Sequence, residues 1–79
     1  MASSILMMSG TIQRLDPRGF GFIYGDDGVH YFFHMKEHLA AGVVFNQLAT
    51  GMRVRFRPTQ HAFRGPRAAS VMLALPETA

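Results

Sequence analysis

The residues best equipped for chemistry in this chain are rings and cations, and they cluster. In Arg18-Gly19-Phe20-Gly21-Phe22-Ile23 two phenylalanines stand two residues apart behind an arginine. On a strand, residues two apart share a face. Rings held on a solvent face can stack on flat partners such as nucleic-acid bases; turned inward they are ordinary core. The flanking glycines leave the neighbouring surface bare of side chains. The hexapeptide alone leaves both readings open, and alternation favours the first. With Ile23 in the core, Phe20, Phe22 and Tyr24 face out; the opposite register leaves only Gly19, Gly21 and Ile23 outside, which is little polar surface. A second run repeats the pattern, with His30, Phe32 and His34 on one face and Tyr31 and Phe33 on the other. A hairpin through Gly25-Asp26-Asp27-Gly28 would gather Phe20, Phe22, Phe32 and His34 into one patch. Each base stacked on such a ring is worth about 1–3 kcal/mol by alanine substitution, and any base will serve.

The cations can serve the same purpose. Seven of the eight Lys and Arg residues are arginine, the side chain suited to phosphate forks and to stacking on rings. Arg53, Arg55 and Arg57 form a row that reads either as a solvated strand face or as a flank guiding a phosphate backbone, joined by Arg18, Lys36, Arg64 and Arg67. Phe63 lies beside Arg64 in a late polar stretch, where a loop bearing a ring and cations could close over a bound strand. Other chemistries find less support. His30, His34 and His38 recur every four residues, a metal-site spacing on a helix but too spread on a strand. Asp26 and Asp27 are adjacent in a turn and point apart, and no nucleophile–base pair or phosphate-cradling loop is present. An enzyme is not expected, and no cofactor or metal is implied.

The positioning elements follow from the same alternation. Seventy-nine residues allow one small domain. Cysteine is absent, which excludes disulfides and fits a reducing cytoplasm, and the net charge of +3 points weakly to a polyanion. The Ile5-Leu6-Met7-Met8 run is too short for a signal peptide and no apolar run reaches a membrane span, so a soluble cytoplasmic protein with no membrane partner is expected. Residues 1–7 read as a loose arm, residues 8–75 as the domain and residues 76–79 as a tail. A first strand begins at Met8 with Gly10 and Ile12 on its side, and Ser9, Thr11 and Gln13 opposite. The turn Asp16-Pro17-Arg18-Gly19 leads to strands at 19–24 and 29–35. One helical turn is expected near 36–40, then a loop. A strand over 52–57 puts Met52, Val54 and Phe56 inward, Pro58 should end its pairing, residues 59–67 read as a loop, and a last strand covers 68–75. The expected fold class is all-β, a five-stranded antiparallel barrel or sandwich.

These residues together resemble the cold-shock domain family. Gly10-Thr11-Ile12 is similar to the start of its first strand. Arg18–Ile23 matches its Lys-Gly-Phe-Gly-Phe-Ile motif with arginine for lysine, and Asp26-Asp27-Gly28 matches its turn. Tyr31-Phe32-Phe33-His34 resembles Val-Phe-Val-His, and Arg64-Gly65-Pro66-Arg67-Ala68-Ala69-Ser70-Val71 resembles Lys-Gly-Pro-x-Ala-Ala-Asn-Val. The likeness runs from Met8 to Leu75. It implies an OB-type barrel that binds single-stranded RNA or DNA on its aromatic face, acting as a nucleic-acid chaperone or a regulator of transcription or translation. Phe20, Phe22, Phe32 and His34 would stack on bases, Arg18 would contact the backbone, and Phe45 falls near a family aromatic on the same rim. The chain departs from the family at Gln13-Arg14-Leu15-Asp16, where a lysine, a stacking tryptophan and a phenylalanine are usual, and the turn is one residue shorter. Arg14 could stack on a base or contact a phosphate instead. Met35 stands where a phenylalanine is usual. The candidate nucleic-acid-binding residues are therefore Arg18, Phe20, Phe22, Phe32, His34, Arg14, Gln13, His30, Phe45, Phe63 and Arg64.

Fewer rings and more arginine imply a larger electrostatic share of binding, with a slope of log K on log salt of about −0.7 per neutralised phosphate. A competing function is a protein-interaction or self-associating module, favoured by the adaptable surface that Met35 and the absent tryptophan leave. A monomer is expected, with a dimer left open. A competing fold is the RNA recognition motif, whose signature overlaps Arg18–Ile23, but there the motif follows a helix for which this chain has no room.

Overall fold

The computed structural model describes residues 7–61 and 65–74. The expected arm (Met7 apart) and tail lie outside them, as do Phe63, Arg64 and Leu75. The strands are β1 (Met8–Asp16), β2 (Phe20–Gly25), β3 (His30–His34), β4 (Arg53–His61) and β5 (Gly65–Leu73), with a short 3-10 helix over Phe45–Gln47. They close into a barrel in the order β1-β2-β3-β5-β4, with β4 returning to β1. Pairing is antiparallel except between β3 and β5, which run parallel. The expected barrel is thus present, but its strands are of mixed orientation. The connection from β3 to β4 carries the chain to the far side of the barrel, so β5 can return alongside β3 in the same direction.

The first two hairpins are built by their own residues. Asp16 and Phe20 are paired, leaving a three-residue loop. The Asp16 carbonyl accepts from the Gly19 N–H at 2.9 Å, and the Asp16 carboxylate accepts from the Arg18 N–H at 2.9 Å. Gly19 sits at φ 104°, the left-handed position that closes such a loop. The β2–β3 turn repeats the device, with the Gly28 N–H donating to the Gly25 carbonyl at 2.9 Å and Gly28 at φ 84°. The Asp27 carboxylate accepts from the Val29 N–H at 3.1 Å and from the Tyr31 hydroxyl at 2.7 Å.

Alternation then fills the barrel. Ile12, Ile23, Phe33, Val54, Phe56 and Val71 are fully buried, with Tyr31, Leu48 and Ala68 beside them. Burying a ring such as Phe33 contributes roughly 1.5–3 kcal/mol. Two bulges break the alternation. On β1 the register shifts between Ile12 and Arg14, so Gln13 and Arg14 are both exposed and Leu15 turns back toward the core. On β5 two residues, Ser70 and Val71, answer the single Phe56 of β4, so Ala68 and Val71 both face inward although three apart. Ser70 takes a φ of 52° to make that bulge.

Two expectations are corrected, and the single turn expected after β3 is present. Pro58 does not end its strand; β4 runs on to His61 with Pro58 opposite Ala68. Among the described residues β1 pairs with β4 only as far as Phe56, so beyond it the other edge of β4 is open and a missing N–H is tolerated. Residues 59–61 and 65–67 therefore belong to strands rather than a loop. The turn after β3 is a single one, with the His38 N–H donating to the His34 carbonyl at 2.9 Å, and the only 3-10 helix among the described residues lies later, at Phe45–Gln47.

Candidate nucleic-acid interface

The pairing of β2 with β3 puts rings opposite rings. Phe20 faces His34, Phe22 faces Phe32 and Tyr24 faces His30, three successive cross-strand pairs on the outer face. The centroids of Phe22 and Phe32 lie 5.7 Å apart at 70°, those of Phe20 and Phe32 5.7 Å apart at 31°, and those of Phe20 and Phe22 6.5 Å apart at 90°. Tyr24 and His30 lie 4.9 Å apart at 50°. The inner face of the same strands explains the glycines. Gly19 and Gly21 are buried, and a Cβ on Gly21 would stand 2.6 Å from the Arg14 carbonyl oxygen and 3.0 Å from the Phe33 ring. The Gly-Phe-Gly-Phe pattern therefore serves a close strand approach, rather than a surface left bare.

Polar groups frame the rings. Arg18 lies 5.4 Å over the Phe20 ring and donates from Nε to the Asp16 carboxylate at 3.0 Å. That contact holds the Asp16 carboxyl below the ordinary carboxylate range. Three of Arg18's five N–H donors are left beyond the two given to Asp16. Arg14 stands opposite Phe22, exposed on the β1 bulge. Gln13, its neighbour, reaches across β2 to His30, whose Nδ1 lies 2.8 Å from the Gln13 Oε1. His34 and His38 each use Nδ1 as an acceptor, from the Lys36 and His34 N–H groups at 3.1 and 2.7 Å. Each neutral ring then keeps its proton on Nε2, and burial lowers the pKa of His38.

The structure brings Arg18, Phe20, Phe22, Phe32 and His34 onto one face, with Arg14 and Gln13 at its β1 side and His30 on β3 opposite Tyr24. Phe45 is elsewhere: its ring packs with the core, 6.3 Å from Phe33. Phe63 and Arg64 lie outside the described residues. The arginine row of β4 lies round the barrel, separated from β2 by β1, and Arg53 is already engaged by Asp26 at 2.9 and 2.8 Å and by Thr11 at 3.0 Å. Arg67 was read only as part of a cationic flank. It pairs with Phe32 through the parallel β3–β5 contact and holds its guanidinium 4.1 Å above the Phe32 ring, with a buried Nε that has no hydrogen-bond partner among the described residues. A ring face covered at that distance has no room for a base, so Phe32 offers a partner its remaining surface. Tyr24 and His38 also join the patch without having been singled out. Tyr24 was signalled by its spacing from Phe20 and Phe22; Arg67 carried no local signal.

Residues 8–74 match the family described as the 'Cold-shock' DNA-binding domain. The chain belongs to the cold-shock domain family. It is similar to Cold shock protein 1 of Lactiplantibacillus plantarum, with 36% identity over 67 residues that span 84% of this chain and 97% of that protein. Cold-shock domains bind single-stranded nucleic acids and are not an enzyme family. No helix among the described residues is long and apolar enough to cross a membrane.

Proposed function

We propose that this cold-shock domain binds single-stranded RNA or DNA by stacking bases on Phe20, Phe22, Phe32 and His34, with Arg18 and Arg14 contacting the backbone, and so acts as a nucleic-acid chaperone or a regulator of transcription or translation. The observation that carries this reading is the register of ring pairs, Phe20 with His34 and Phe22 with Phe32. Successive pairs on one face lie roughly 7 Å apart, twice the strand rise per residue. Stacked nucleotides rise about 3.4 Å each. A strand that lays a base on each pair must therefore be unstacked, which favours single strands and opposes weak secondary structure.

The test is a titration of the full chain with heptathymidine and heptauridine at two salt concentrations, by mobility shift. Phe20→Ala and Phe22→Ala should each weaken binding by about 1–3 kcal/mol while the fold is kept. The slope of log K on log salt should be about −0.7 for each phosphate neutralised. Folded variants that bind as tightly as the parent refute stacking. A chain that ignores both oligonucleotides but associates as its concentration rises would instead be an interaction module.

A further inference from the structure

We propose that Tyr24 and His30, held by Gln13, form a further base-binding subsite that takes one nucleobase of a bound single strand. The inference rests on the stacking reading above and extends it to a third rung. Tyr24 is 46% exposed, whereas Phe20, Phe22 and Phe32 partly bury one another. Tyr24 extends the contiguous ring patch of Phe20, Phe22 and Phe32, and contiguous exposed apolar patches mark binding surfaces. Its register is that of the other two pairs, one rung further along, so a strand tracking the ladder arrives at it without turning.

The subsite is also ordered in advance. The His30 ring lies 4.9 Å from Tyr24, and Gln13 fixes it from across β2. Because the Gln13 Oε1 can only accept, His30 donates from Nδ1 and its neutral ring leaves Nε2 as an acceptor. A thymine or uracil imino N–H, or an exocyclic amine, suits that lone pair. The neighbouring acids are engaged: Asp26 is gripped by both terminal nitrogens of Arg53, and Asp27 accepts from Tyr31 and from the Val29 N–H. Arg14, on the bulge opposite Phe22, supplies positive charge beside the neighbouring rung. Tyr24 stands on β2 opposite Thr11, one rung beyond Phe22, whose β1 partner is Arg14.

The chain has two tyrosines and no tryptophan, and Tyr31 is 6% exposed, so tyrosine emission on binding reports on Tyr24. Saturating the full chain with heptathymidine should quench that emission. Tyr24→Leu should weaken binding by about 5- to 150-fold, the span expected for one stacked base, with the unfolding midpoint unchanged. Tyr24→Phe keeps a ring and should retain affinity while abolishing the emission change. If the parent binds but its emission is unaltered, or if Tyr24→Leu binds as tightly as the parent, the third subsite is refuted and the first two rungs stand. If the parent binds no strand at all, both readings fall together.

Discussion

Replacing Gly21 by alanine probes how closely β1 and β2 approach beneath the rings. The added Cβ would lie 2.6 Å from the Arg14 carbonyl oxygen, 3.0 Å from the Leu15 Cδ2 and 3.0 Å from the Phe33 Cε1. The first of these is backbone within the β1–β2 ladder, where Leu15 faces Gly21, and cannot swing aside. Phe33 is fully buried and has little freedom to yield. Overpacking costs about 1–3 kcal/mol, while alanine recovers roughly 0.4–1 kcal/mol by restricting the unfolded chain. Because the tightest contact is backbone, the net loss should be about 1–2 kcal/mol, weighing those two effects. For a domain of this size each kcal/mol moves Tm by about 4–8 °C. Urea and thermal unfolding should therefore show a lower midpoint with an unchanged m-value. Phe20 and Phe22 flank the site, so oligonucleotide affinity should fall as well. A Gly21→Ala protein that melts at or above the parent's temperature would mean that the strands do not approach as described, and that the glycine serves the surface after all.

Two further outcomes follow from the geometry. At Ser70, whose φ is 52°, a side chain in the left-handed region costs roughly 1–2 kcal/mol, and asparagine is better tolerated there. Ser70→Asn should raise stability by about 0.5–1 kcal/mol and Ser70→Val should lower it, as read from urea midpoints; a Ser70→Val protein as stable as the parent would contradict the bulge. The pH dependence has a defined sign at each end. Asp16, Asp26 and Asp27 are held below the ordinary value of 3.8, chiefly by hydrogen bonds from Arg18, Arg53 and Tyr31. Their contribution is complete above 3.8 and lost as pH falls through the lowered folded values. Tyr31 is pushed up to about 12 by burial and by Asp27, from an ordinary value of 10.0, so its contribution is complete below 10.0 and lost as pH rises toward 12. Burial lowers the pKa of His38, so its contribution is complete above the ordinary 6.5 and fades as pH falls below it. Denaturation across pH should give a plateau between about 6.5 and 10.0 with a fall on both sides, and stability that rises below 3.8 would contradict the carboxylate contacts.

The face of the ladder was legible because period-two alternation is local: Phe20, Phe22, Phe32 and His34 could be turned outward from neighbours a few residues away, and the turns from Asp16-Pro17-Arg18-Gly19 and Gly25–Gly28. What was missed involves partners distant in sequence. The parallel contact of Phe32 with Arg67 joins strands separated by the whole β3–β4 connection and half the β4–β5 hairpin, and no residue pattern announces it. Pro58 was read by its own chemistry, which ends pairing on a central strand, but the open edge of β4 beyond Phe56 changes the outcome. The crowding at Gly21 carried no local signal because the carbonyl and ring that meet it come from Arg14 and Phe33. Phe45 followed the family's rim, whereas the 3-10 helix that carries it turns its ring toward Phe33.

The seam between β3 and β5 makes the Phe32 cap dependent on a different unit of folding from the ring it covers. Phe22 and Phe32 belong to a local hairpin, whereas Arg67 reaches Phe32 only after β5 has docked, through the Phe32–Arg67 pairing and the bridge from Leu39 to Val71. Loop closure over that separation comes late in folding, and junctions with few hydrogen bonds are the first to open in the native state. A transient opening of this seam lifts the guanidinium from Phe32 while leaving the hairpin and its ladder of rings intact. Breathing of the barrel and exposure of the covered Phe32 face are then the same event, and a ligand that captures the uncapped ring would shift that equilibrium in proportion to its concentration.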